Sequence, residues 1–226
     1  LHAVAAMNQR TTFSRHIRHI ALAATLVCLS ATTLAAPEAQ FQAAFKHFIQ
    51  ASNGDSAAIG QAAEAFTNLL KDEPANPVLM AYAGSATSMK ATTTMLPWKK
   101  MTYAEDGLAQ LDKALAMLSP AHDAPVQHGT PGVLEVKFVA SNTFLAVPGF
   151  MNRNERGAKL LGEVVDSPLL ASAPLPFKGS VWLSAAKQAT KTKNTAEAKR
   201  LLDLIVQQQA PQAAQAEALL KNLSAS

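Results

Sequence analysis

Cysteine is almost missing from this chain of 226 residues: there is one, Cys28. A single thiol excludes an internal disulfide framework and a cysteine-rich metal site. Aromatic residues make up 6 % and charged residues 16 % of the chain. Few aromatics together with abundant alanine favour closely packed helices over a sheet sandwich. The vocabulary of catalysis is sparse too. No serine stands in a G-x-S-x-G turn, and there is neither a phosphate loop nor a G-x-G-x-x-G fingerprint.

The N-terminal residues lack charge of one sign. Arg10, Arg15 and Arg18 are basic, and no acid precedes Glu38. Residues 20–29 are apolar, and small residues follow from Ser30 to Ala36. That order is the reading of a secretory leader starting at Met7. The apolar run is about half of the ~20 residues a bilayer span needs. Cleavage is expected after Ala35, because a cut after Ala36 would place Pro37 at the scissile bond. Residues 1–6 have no leader character and read as an over-extended start. Thr25 and Val27 do not suit a lipid anchor on Cys28, and no adjacent arginine pair marks the twin-arginine route.

The chain is therefore expected to divide into residues 1–35, an extension plus cleaved leader, and residues 36–226, one helical domain in the periplasm (secretion being the second choice). Of the 20 Lys and Arg against 16 Asp and Glu, three basic residues leave with the leader. The remaining 17 against 16 is nearly neutral, which argues against nucleic acid as a partner. The only cysteine leaves as well. No stable membrane anchor and no cofactor are expected.

Helical spacing dominates the remainder. Ala62, Phe66 and Leu69 share one face, Asp72-Glu73-Pro74 stops that helix, and Asn76-Pro77 starts the next. Gly84 then stands where a close helix crossing needs a small residue. A second hairpin signature comprises Trp182, Ala185, Ala186, Ala189, Ala198, Leu202 and Ile205, with Asn194-Thr195 as turn and N-cap and Pro211 closing. These two stretches, 61–87 and 179–211, resemble tetratricopeptide repeats. Two degenerate units lie between them. Gly84 pairs with Gly107, Leu111 and Ala114; Ala140 pairs with Ala158, Leu161 and Val165. The opening helix contributes Phe41, Phe45, Phe48 and Ile49. The resemblance implies an all-α fold of stacked antiparallel hairpins, a degenerate solenoid of about four units.

Residues 134–138 alternate apolar and polar like a strand. Val133, Val136, Ala140 and Phe144 also share a helical face, and helix is the expectation because a lone strand has no partner. Residues 123–132 and 169–176 read as Pro-rich linkers.

The resemblance implies a concave surface lined by the first helix of each unit. Carried across, its groove positions are Ala81, Ser85 and Met89, then Lys137 and Ser141, then Lys187 and Lys191. Convergent lysines would suit a carboxylate or an acidic peptide end. The inserted Met95, Leu96 and Trp98, with Phe150 and Met151 beside them, form either a cap on the core or a contact patch, since aromatic residues are enriched at protein contacts. His122, Asp123 and His128 have ligand-like spacing, but a loop flanked by Pro and Gly lacks the frame a metal needs; a solvated loop is the expectation. His47 reads as a surface or cap residue. The functional expectation is a non-catalytic binding or scaffold protein for a protein or peptide partner. The alternative is a binder of small anionic solutes serving a transport system.

Overall fold

The chain's architecture is given by a computed structural model that describes residues 38–224. The expected leader and cleavage site fall in residues 1–36, outside the described residues. Among the described residues there are nine α-helices and one short β-hairpin: α1 Glu38–Ser52, α2 Ser56–Asp72, α3 Pro77–Met89, α4 Pro97–Ala116, β1 Pro125–Gln127, β2 Thr130–Pro131, α5 Gly132–Ala146, α6 Asn154–Val165, α7 Leu175–Lys191, α8 Thr195–Gln207 and α9 Ala213–Ser224. The fold is all-α. Residues 134–138 lie within α5, where they gain hydrogen bonds that a lone strand could not supply.

Local chemistry fixes the helix ends. Asp55 caps α2 by accepting from the amides of Ala57 and Ala58. Asn76 caps α3 by accepting from Val78 and Leu79, with Pro77 in the first turn. Asn194 Oδ1 accepts from Glu197 N at 3.2 Å at the start of α8. Such caps satisfy amides that have no partner inside the helix.

Consecutive helices pack on each other: α1 with α2, α3 with α4, α5 with α6, and α7 with α8, while α9 packs on α8. The pairs join through α2–α3, α3–α5, α4–α5 and α6–α7. Helix α3 sits centrally, with eleven of its thirteen residues buried, as befits a helix that is apolar all round. Phe41, Phe48, Phe66 and Tyr82 form its aromatic core. The ring centroids of Phe66 and Tyr82 stand 4.8 Å apart, stacked.

The α3–α4 crossing is as close as the glycines suggest. A Cβ on Gly107 would meet Gly84 O at 2.4 Å and Ser88 N at 2.6 Å. In the α5–α6 pair the register is shifted by one residue. Gly157, not Ala158, makes the close approach, since its Cβ would meet Ser141 O at 3.0 Å. Leu160, Leu161 and Val164 are the buried residues of α6, while Val165 is only partly covered.

Two segments read as linkers are packed structure instead. Residues 125–131 form the antiparallel hairpin, with Gln127 and Thr130 buried. Its turn holds His128 at φ 35° and Gly129 at φ 73°, left-handed values that suit tight hairpins. Leu170 and Ala173 pack with Leu134, Val164 and Val181 in a core between α5, α6 and α7. Proline in these stretches stops helices without making the chain leave the core.

Candidate functional site

Two open clefts lie along α4 and together make a furrow: one is shared with α5 and α6, the other with the turn Gly149–Met151 that precedes α6. At one end a cleft of about 450 Å³ is lined by Leu115, Leu118, Pro120, Asp123, Val133, Lys137, Arg156 and Leu160. At the other end a cleft of about 330 Å³ is lined by Met101, Glu105, Leu108, Asp112, Phe150, Met151 and Arg153.

Charged groups sit between and beside the clefts. Asp112 receives Arg153 at 2.9 Å and also pairs with Arg156. Both guanidinium groups lie over the Phe144 ring, at 5.4 and 5.2 Å from its centroid. Lys137 Nζ donates to Glu163 Oε2 at 2.7 Å, tying α5 to α6. The larger cleft is thus mainly apolar with polar groups at fixed places, as binding sites are, while the smaller is lined about evenly by polar and apolar surface.

A second polar constellation is buried on the far side of α5. Tyr82 donates its hydroxyl to Glu135 Oε1 at 2.7 Å, and His128 Nε2 stands 2.7 Å from the same oxygen. The ring centroid of His128 is 5.1 Å from those of both Phe41 and Phe45, edge to face. Burial is the largest influence on His128 and lowers its pKa. The hydrogen bond to Glu135, that carboxylate's charge and the charge of Glu38 together outweigh it, so the net shift is upward. Tyr82 is pushed well above its ordinary value by burial first, then by Glu135. Oε2 of Glu135 is buried without a hydrogen-bond partner.

No family model, curated protein or solved structure matches the chain.

The groove positions taken from the repeat resemblance are not brought together. Ala81, Ser85 and Ser141 are buried, and Met89 packs against the core. Ser85 accepts a hydrogen bond from Thr143 Oγ1 at 2.8 Å, inside the α3–α5 contact. The helix packing itself is the cause: α5 lies on α3 at Ser85, and Ser141 lies against Gly157 of α6. Of the three lysines only Lys137 lines a cleft, while Lys187 and Lys191 are exposed on α7. The inserted apolar residues fare differently. Met95, Leu96, Trp98 and Phe150 are exposed, and Met151 lines a cleft with Phe150.

The histidine-rich loop separates into two roles. His122 Nδ1 accepts from Ser119 N at 3.0 Å and caps a 3-10 turn, whereas His128 turns inward, so the segment is not a solvated loop. His47 is half-buried, with its Nδ1 lacking a partner. Among the described residues no three His, Cys, Asp or Glu side chains form a metal-holding group. Sequence reasoning missed Leu115, Leu118, Leu160, Arg156 and Asp112. A leucine in a helix carries no mark that separates furrow from core. Glu135 did carry a signal, as the one acid in α5.

Proposed function

We propose that the protein is a non-catalytic periplasmic binding or scaffold protein that holds a protein or peptide segment in the furrow along α4. Its four helix pairs are read as a degenerate tetratricopeptide-like stack closed by α9. The packing of α3 on α5 and the glycine crossing of α3 with α4 support that reading. Stacked pairs offer extended surfaces suited to peptides.

The observation that carries the functional reading is the furrow itself: clefts of about 450 and 330 Å³ along α4, the larger mainly apolar, with Arg153, Arg156 and Lys137 at their sides. A displayed peptide library panned against the chain tests it. Enrichment of apolar sequences is expected, with binding weakened about tenfold or more by Leu118→Asp or Lys137→Glu. Failure to enrich any peptide, or equal binding by both variants, would sink the proposal.

A second reading, an anionic solute held for a transport system, is favoured by one feature. The larger cleft is by itself of a size that small-molecule sites have, and it places Lys137 and Arg156 beside leucines. A thermal-shift screen of carboxylic acids checks it. Ligand at 100 times its Kd should add about 2.7 kcal/mol of stability, and a flat screen removes this reading.

A further inference from the structure

Six large apolar side chains stand exposed among the described residues, and five of them belong to one corner. Met95 is 88 %, Phe150 67 % and Trp98 65 % exposed, with Leu96 and Met101 above one third. They come from two segments, the approach to α4 and the 3-10 turn Gly149–Met151. Met101 and Phe150 line the same cleft and so join the two. Trp98 and Met101, three residues apart, share a face of α4.

The charge at this corner is basic. Lys99 and Lys100 are exposed beside Trp98 and make no ion pair among the described residues. Lys90 lies 4.5 Å from the centroid of the Tyr103 ring, one turn further along α4. Glu105, an acid of the same helix, lines the cleft with Arg153. The first turn of α4 carries no acid, although the helix dipole favours acids there and disfavours lysines. A sequence chosen for helix stability alone would not be written this way.

We propose that this corner docks reversibly on an anionic lipid bilayer surface. Trp98, Met95 and Phe150 enter the headgroup region, and Lys99 and Lys100 meet lipid phosphates. Tryptophan favours that depth because its ring is amphipathic, and apolar residues flanked by lysines are the composition of interfacial binding. A protein contact would instead concentrate its energy in aromatics enclosed by a partner. Here the apolar groups project from a helix start and a turn. The contact is superficial, since no described helix is long and apolar enough to cross a membrane. The corner shares Met101 and Phe150 with one end of the furrow, whereas Met95, Trp98, Lys99 and Lys100 line neither cleft.

The experiment uses the chain as its host produces it, with vesicles of phosphatidylglycerol and phosphatidylcholine that carry brominated acyl chains. Bromine quenches tryptophan only at close range. Trp182 is buried in a different core and supplies an unquenched background. The readout therefore follows Trp98, whatever the N-terminal residues do. Quenching is expected on mixed vesicles and should be weak on pure phosphatidylcholine. It should decline with salt. Lys99→Glu combined with Lys100→Glu should lower partitioning by about tenfold or more, and Met95→Asp should lower it without disturbing the fold, since Met95 touches so little. An unquenched Trp98 overturns the proposal and leaves the corner to a protein partner. So does equal quenching on neutral vesicles, or quenching indifferent to both variants.

Discussion

One carboxylate in the interior sets the charge of its neighbours. Glu135 is fully buried and receives both Tyr82 and His128 on one oxygen. Because the folded state raises the His128 pKa above its ordinary 6.5, protonation favours folding. This contribution is fully present below pH 6.5 and is lost as pH rises through the higher folded value. Tyr82 is also raised, so its contribution holds until the phenol of the unfolded chain ionises, near pH 10, and declines beyond. Melting temperature should therefore fall from mildly acidic to mildly alkaline pH, with a second decline above about pH 10. Glu135→Gln and His128→Gln should flatten the first decline. Thermal melts across this range decide the matter: a wild-type curve that rises with pH through the histidine window would show that the pair does not stabilise the fold.

Among elements, the α7–α8 pair shows how spacing becomes packing. Ala186 and Ala198 are both fully buried, as two small residues at a crossing should be. Trp182 is buried too, but the core that holds it is built by α7, α8 and α9. The preceding pair is met by Val181, in a core with Leu134 and Val164, and by Phe177, whose ring stands 5.4 Å from that of Phe138. The sequence shows which residues are buried; it does not reveal which neighbour they face, because Val181 and Trp182 are adjacent and both apolar. Trp182→Ala should cost about 3–5 kcal/mol, and Ala186→Leu about 1–3 kcal/mol from overpacking. Lys187→Ala and Lys191→Ala, both exposed, should stay within about 0.5 kcal/mol. At this size each kcal/mol moves the melting point roughly 2–4 °C, so four melts separate the two groups. Lysine variants as damaging as the tryptophan variant would mean a rotated α7.

At the scale of the molecule, the all-α class and the two glycine-marked helices were legible, since periodicity and close approach leave traces in residue size. The furrow was not, because it exists only where α5, α6 and the turn before α6 meet α4. The inward-turned hairpin was not either: residues 125–131 carry the prolines and glycine of a linker, and nothing local says that Gln127, Thr130 and His128 turn inward. That hairpin ties α1 to α5 through His128, which touches Phe41, Phe45 and Glu135 at once, and Glu135 in turn holds Tyr82 of α3. Helix stacks are otherwise held by nearest neighbours alone, so a tie across three of the helices should raise cooperativity. Replacing residues 125–130 with Gly and Ser makes the test. A true linker would tolerate the change. Here it strips Glu135 of one partner and opens the aromatic core, and breaking a buried pair costs about 3–5 kcal/mol. The melting point should fall by at least about 6 °C at roughly 2–4 °C per kcal/mol. The transition should also broaden or split, as α1 to α3 melt ahead of the rest. A single sharp transition at the wild-type temperature would return the segment to the status of a linker.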